Sequence, residues 1–221
     1  MKPPRSTADW QTFIRDNTKL LSPPLVPEIK LHLAEESLPI WQKTEEELGE
    51  MNIPPPYWAF AWAGGQALAR YLLDNPAITR GQKVLDLGSG SGLTAIAARM
   101  AGAQSALATD IDEVALIAAG MNAAANGMAV EVTAEDLLDA GPGDANVILA
   151  GDLFYERDLA MRMLTFLDVC TTAGATVLVG DPQRSYFPKD RFESVAEYRV
   201  PVTRELEDTE IKNAAVWRLR R

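Results

Sequence analysis

Histidine and cysteine are almost absent from this 221-residue chain, each occurring once. Histidine triads and multi-histidine metal sites are therefore excluded by count, and no metal is expected. The single histidine stands in "EIKLHLA", where Ile29, Leu31 and Leu33 alternate; that pattern predicts a strand with His32 solvated on its outer face. The lone Cys170 excludes an internal disulfide framework and reads as a small buried hydrophobe at a helix end. Long apolar runs are missing too, and none approaches the ~20 residues that cross a bilayer. The opening "MKPPRSTADW" lacks the apolar segment of a secretory signal. It is also poor in arginine and reaches Asp9 too early for a transit peptide, so a soluble, cytoplasmic protein is expected. Positive charge is in deficit, with 21 basic against 31 acidic residues and a net charge of −10. Such a surface repels phosphate backbones and attracts basic, lysine-bearing partners, so neither nucleic acid nor membrane is expected as a partner.

What is present is apolar residue in quantity, 47% of the chain, enough for one sizeable core in one α/β domain with an N-terminal extension. "TADWQTFIRDNTKLL" predicts a short helix, followed by the proline-rich connector "SPPLVP". The acidic run "TEEELGE" at 44–50 reads as a solvated face. "GGQALARYLLDNP" predicts a helix with Leu68, Tyr71 and Leu72 on one face. From Lys83 onward, "KVLDLG", "ALATDI", "AVEVTA", "NVILAGD" and "ATVLVGD" predict strands. Helical stripes separate them, such as Leu93, Ile96, Ala97 and Met100, and this alternation implies a parallel sheet covered on both faces. "FESVAEYRV" and "AAVWRLR" break the rhythm as two strands with no helix between them.

The stretch "VLDLGSGSGLTAIAA" places Gly88, Gly90 and Gly92 where the first strand of this alternation turns into its helix. Ligands of doubly wound sheets bind at that turn, and glycine lets the backbone approach them closely. A dinucleotide fingerprint would place glycine at 93, which is leucine, and no "GK[ST]" follows to make a P-loop. Asp86, just ahead of the loop, would repel a pyrophosphate and suits a positively charged amino-acid moiety. Asp110, 24 residues later in "ATDID", stands where an acidic side chain accepts from ribose hydroxyls. Asp136, in "TAEDLL", can accept from an exocyclic amine such as that of adenine. An amine, a ribose and an adenine without phosphates describe S-adenosylmethionine. The alternative reading is that each aspartate only caps the helix after it. The fourth strand carries "AGDLFYERD", which puts Asp152 and Tyr155 where a methyl group would leave; the lesser alternative for Tyr155 is core filler.

Together, "VLDLGSGSG", "ATDID", "AED" and "GDLFY" resemble the class I, seven-β-strand methyltransferases. "DLFY" looks like the D-x-x-Y element of the subgroup that methylates lysines of non-histone proteins. "PPYWAFAWAGGQALARYLLDNP", "GDLFYERDLA" and "VGDPQR" are similar to the lysine methyltransferases of the electron transfer flavoprotein β-subunit. The resemblance covers roughly residues 50 to 187 and the closing "AAVWRLR"; the first 45 residues match less clearly, and a bacterial, cytoplasmic type is implied.

The resemblance implies a Rossmann-like sheet of order 3-2-1-4-5-7-6 with the last strand antiparallel. The chain is expected to divide into an N-terminal helix/strand extension at 1–50 that docks the substrate and an S-adenosylmethionine-dependent methyltransferase domain at 51–221, and to be a monomer. The resemblance makes Trp62 a wall of the cofactor pocket and Trp58 a wall or an anchor, with Ser89, Ile111, Leu137 and Gly151 beside the motif residues. Asn122 and Asn126 read as helix-end residues with core or capping roles. Asp152 is assigned to hold the lysine ε-amine, with Phe154 and Tyr155 lining the channel and repeated methylation, to the trimethyl state, implied. The alternatives are a ribosomal-protein lysine methyltransferase, a small-molecule amine methyltransferase and a non-catalytic S-adenosylmethionine-binding module.

Overall fold

The alternation downstream of Lys83 folds into a seven-stranded sheet in the computed structural model, which describes residues 6–34, 55–202 and 209–220. An N-terminal helix α1 (Thr7–Asn17) leads into a short hairpin, β1 (Lys19–Leu21) and β2 (Leu31–Leu33). Helix α2 (Ala63–Asp74) precedes the alternating region: β3 (Lys83–Leu87), α3 (Leu93–Met100), β4 (Ser105–Thr109), α4 (Glu113–Ala125) and β5 (Glu131–Thr133). β6 (Val147–Gly151), α5 (Arg157–Thr172), β7 (Thr176–Asp181), β8 (Phe192–Pro201) and β9 (Ile211–Leu219) complete it.

The sheet runs β5-β4-β3-β6-β7-β9-β8. β3 pairs in parallel with β4 and β6, whereas β9 is antiparallel to both β7 and β8. This is the implied order, with the final hairpin tucking its second strand inside its first. The chain leaves β3 toward one edge and returns at β6 toward the other, which opens a crevice at the carboxyl ends of these two strands.

Period-two alternation sends neighbouring strand residues to opposite layers. Val84, Leu149, Leu178 and Val216 face Leu68 and Leu72 of α2 and Ile96 of α3. Leu85, Ile148, Val177 and Trp217 face Met163, Phe166 and Leu167 of α5. Cys170 is buried in that second layer, and burial pushes its thiol up to about 12, as suits an inert core residue. Fully burying each large aliphatic or aromatic side chain contributes about 1.5–3 kcal/mol.

The N-terminal segment departs from its expected form in two places. The helix predicted through Leu21 ends at Asn17, where Thr18 turns extended and Lys19–Leu21 pairs with Leu31–Leu33. Ser6 and Asp9 cap its start reciprocally. His32 is partly buried rather than solvated, with Nδ1 3.0 Å from Thr18 Oγ1; desolvation, then Arg15, hold its pKa below the usual imidazole range.

Asn122 and Asn126 take structural roles. Asn122 Oδ1 accepts from the His32 N–H, and Asn126 both accepts from and donates to the Lys30 backbone. Asn122 Nδ2 also donates to the Ser91 carbonyl, so one fully buried amide ties the hairpin to the glycine loop. Helix α1 packs through Phe13 and Ile14 on Val114, Ala115 and Ala118 of α4 and on Trp58. Trp58 is thus an anchor as well as part of a pocket wall. The acidic run 44–50 lies outside the described residues.

Candidate active site

Each glycine of the loop after β3 adopts the left-handed conformation, with φ of 53° at Gly88, 51° at Gly90 and 79° at Gly92. That geometry strains any side-chain-bearing residue. At Gly88 a Cβ would also meet Leu153, and at Gly92 it would press on Ala119 of α4. Gly92 therefore serves the packing of α3 against α4, whereas Gly88 and Gly90 line a cavity of about 690 Å³ in the crevice. Trp58, Trp62, Asp86, Ser89, Asp110, Ile111, Asp136, Leu137, Gly151, Asp152 and Tyr155 line the same cavity.

The three strand-end carboxylates differ in what they already hold. Asp86 is buried beneath the loop and accepts from Ser89 Oγ at 2.7 Å, Thr94 Oγ1 at 2.5 Å and the Ala95 N–H at 3.1 Å. It thereby caps α3; burial outweighs these bonds and pushes its carboxyl up to about 6. Asp110 accepts from the Gly90 and Asp112 N–H groups, while Asp112 caps α4 through the Val114 N–H. Burial raises the Asp110 carboxyl above its ordinary range. Asp136 caps the 3-10 turn at Leu137–Asp139 and pairs with Arg162 at 2.8 Å. Capping and cavity-lining are thus joint properties of Asp86 and Asp136.

The far side of the cavity is built on backbone contact. Gly64 and Gly65 lie in the first turn of helix α2, and a Cβ on Gly64 would strike the Gly180 carbonyl and lie 2.5 Å from Asp152 Oδ2. A Cβ on Gly151 would lie 3.1 Å from the Gly65 Cα. Helix α2 therefore rests directly on the ends of β6 and β7. Its first residue follows Trp62, whose side chain makes no cap, and the vacant N-terminal N–H of Gly65 donates instead to Asp152 Oδ2 at 2.9 Å.

Arg184 meets the same carboxylate. Its Nε and Nη2 donate to Asp152 Oδ1 at 2.9 and 2.7 Å, and its guanidinium lies 5.6 Å over the Trp62 ring. Asp152 and Gln183, at φ of 59° and 64°, are the non-glycine residues in the left-handed region among those described. Each such residue costs on the order of 1–3 kcal/mol, and strain of this kind collects where function over-determines the backbone. Asp181, one strand over, accepts from the Arg184 N–H at 2.7 Å, and its Oδ2 is buried without a hydrogen-bond partner. Burial, reinforced by the Asp152 charge, pushes the Asp181 carboxyl up to about 7.

Tyr155 stands half exposed at the cavity mouth, 6.3 Å from the ring of Tyr57, and burial raises its phenol above the ordinary tyrosine range. Phe154 corrects an expectation. Its ring is fully buried in the α5 layer against Phe187 and Phe192, so it does not line the channel. The left-handed turn at Asp152 sends Leu153 to the cavity and Phe154 to the core.

Residue-type reasoning missed Arg184, Tyr57 and Arg162, which all line the cavity. Arg184 and Tyr57 fall within the "VGDPQR" and "PPYWAFAW" stretches, so a signal for both was present without a role attached.

The family model of ribosomal protein L11 methyltransferase (PrmA) matches residues 66–154. The chain is 40% identical over 220 residues to the electron transfer flavoprotein beta subunit lysine methyltransferase of Danio rerio, covering 96% of this chain and 84% of that protein. Among solved structures it resembles the ribosomal protein L11 methylase of Lactobacillus delbrueckii subsp. bulgaricus, with a TM-score of 0.56 at 23% identity, over 90% of this chain and all of that one. It also resembles the magnesium protoporphyrin IX methyltransferase of Synechocystis PCC 6803, solved with bound SAM, at a TM-score of 0.51 and 16% identity over 71% and 78% of the two chains.

Proposed function

The chain belongs to the family of electron transfer flavoprotein β-subunit lysine methyltransferases, and from that premise we propose that it methylates lysine ε-amines of the flavoprotein β-subunit with S-adenosylmethionine as donor. The observation that carries the site assignment is the convergence of Asp152, Trp62 and Tyr155 on the same cavity as the glycine loop. One part of the cavity fits the donor and the other fits an amine.

The chemistry of the donor set fits S-adenosylmethionine. The loop backbone lines the cavity at Gly88 and Gly90 and is open at Gly90, where a Cβ would meet nothing nearer than 3.8 Å, and Asp110 and Asp136 present acceptors at successive strand ends. Asp86 contributes negative charge beneath the loop, although its oxygens are engaged by Ser89, Thr94 and Ala95. When bound, the donor supplies an activated methyl on a positive sulfur. The chain's task is then to align a neutral amine with that methyl, an effect that can lower the barrier by up to about 7–11 kcal/mol.

Lysine carries its proton up to a pKa of about 10.4 in water, so the site must receive or make the neutral form. Trp62, Tyr57 and Tyr155 make a partly dry aromatic mouth, which disfavours the charged amine and lets water carry its proton away. Their faces suit a methylated ammonium as product. Asp152 orients the amine from the floor of the mouth. We further propose that residues 1–50 dock the protein substrate, since α1 and the β1–β2 hairpin pack on α4 beside the cavity.

The L11 methyltransferase model matches only residues 66–154, whereas the lysine methyltransferase of Danio rerio matches 96% of the chain at 40% identity. That favours the flavoprotein reading over the ribosomal one. Incubating the purified chain with methyl-labelled donor and flavoprotein, then mapping peptides, tests it. Label on β-subunit lysines is expected; an unlabelled β-subunit beside a donor-binding protein would refute it.

A further inference from the structure

We propose that Arg184 is a positioning residue that supplies a permanent counter-charge to Asp152, so that the lysine amine brought to this carboxylate is held without its extra proton. The inference rests on the lysine-methylation reading above for the kind of substrate. It is carried by the geometry of the pair.

Two of the three guanidinium nitrogens, Nε and Nη2, converge on one oxygen, Asp152 Oδ1, at 2.9 and 2.7 Å. The pair is largely out of water, with the carboxylate 7% and the arginine side chain 20% exposed. The guanidinium is held in place twice more. Its Cζ lies over the Trp62 ring, and the Arg184 backbone N–H is fixed by Asp181 Oδ1 after the strained turn at Gln183. Among the described residues, Asp181 at the end of β7, the Gly65 N–H of α2 and the Trp62 ring contact the pair. Tyr155, Tyr57 and Asp110 stand further round the same cavity.

A buried carboxylate without a cation meets an incoming lysine in one of two ways. It pairs with the ammonium, or it takes a proton and donates that proton to the nitrogen lone pair. Either way the lone pair that must attack stays occupied. Arg184 removes both options, because a guanidinium neutralises Asp152 and does not titrate in the working range. The ammonium then has no charge to gain at the carboxylate; its proton passes to water and the amine keeps a free lone pair.

The test compares the pH dependence of turnover for the full-length wild type, Arg184→Gln and Arg184→Lys on a protein lysine substrate. Arg184→Gln should move the acid limb of kcat up by about one pH unit, with a roughly tenfold loss near neutrality that recovers at alkaline pH. Arg184→Lys, which restores the charge, should keep the wild-type limb. A loss of equal size at every pH, or a limb shifted equally in both variants, would overturn the proposal. Should Arg184→Gln not fold, carboxyl NMR on the wild type decides, since Asp152 must remain ionised from pH 6 to 8. A protonated Asp152 at pH 7 contradicts it. If the wild type leaves the flavoprotein unmodified, the substrate reading fails by itself. The profile is then taken on whichever protein lysine the wild type labels, and the NMR titration needs no substrate.

Discussion

The N–H of Gly65 donates to Asp152 Oδ2 across 87 positions of sequence, so the carboxylate at the end of β6 is also the cap of helix α2. One side chain therefore closes a helix terminus and faces the cavity. Its loss should register in stability and in turnover, by separate routes.

Asp152→Asn tests the joint role. An amide offers one acceptor oxygen, so either Gly65 or Arg184 loses its partner, at a cost of about 1.5–3 kcal/mol for a charged hydrogen bond. In a chain of this size the melting temperature should fall by roughly 3–10 °C. Turnover at a temperature where the variant is fully folded should fall much further than the folded fraction does. Thermal unfolding beside an activity assay separates the two, and full activity in the folded variant would remove Asp152 from the site.

Gly64→Ala is the severe case. Its added methyl would collide with the Gly180 carbonyl, which is backbone inside β7 and cannot step aside. Soluble expression should collapse, whereas Gly65→Ala, whose Cβ meets nothing within 4 Å, should leave a folded protein. Circular dichroism of the two variants checks this contrast.

Asp181 sets a pH dependence of stability. Its carboxyl titrates near 7 in the folded chain against an ordinary value of 3.8. Between those values the folded state binds a proton that the unfolded state has released, so stability falls as pH rises from about 4 toward 7. Asp86, at about 6, acts in the same direction. Asp181→Asn keeps an acceptor for the Arg184 N–H and removes the buried charge, so it should flatten this slope and gain stability at pH 8 relative to pH 5. Urea unfolding at the two pH values reads the difference; an unchanged slope would contradict it.

The sheet was legible because its strands are aliphatic runs that no helix period explains, and because the loop of Gly88, Gly90 and Gly92 marks one turn. The boundary after Asn17 was not, because "TKLL" continues a helical pattern. There the antiparallel partner Leu31–Leu33 decides the backbone, and that partner is a tertiary fact. Phe154 was misplaced for a local reason: the positive φ at Asp152 rotates the following residues, and residue spacing carries no sign of it. Arg184 was invisible to residue-type reasoning because its meaning lies 32 positions away, in Asp152.

Specificity for a lysine of the flavoprotein is read from a ratio of specificity constants. The purified full-length chain should be assayed with labelled donor against the flavoprotein β-subunit, ribosomal protein L11 and free lysine in parallel. The kcat/KM for the flavoprotein is expected to lie at least a hundredfold above the other two, a gap of about 2.7 kcal/mol in transition-state binding. Equal or better turnover of L11 or of free lysine would contradict it.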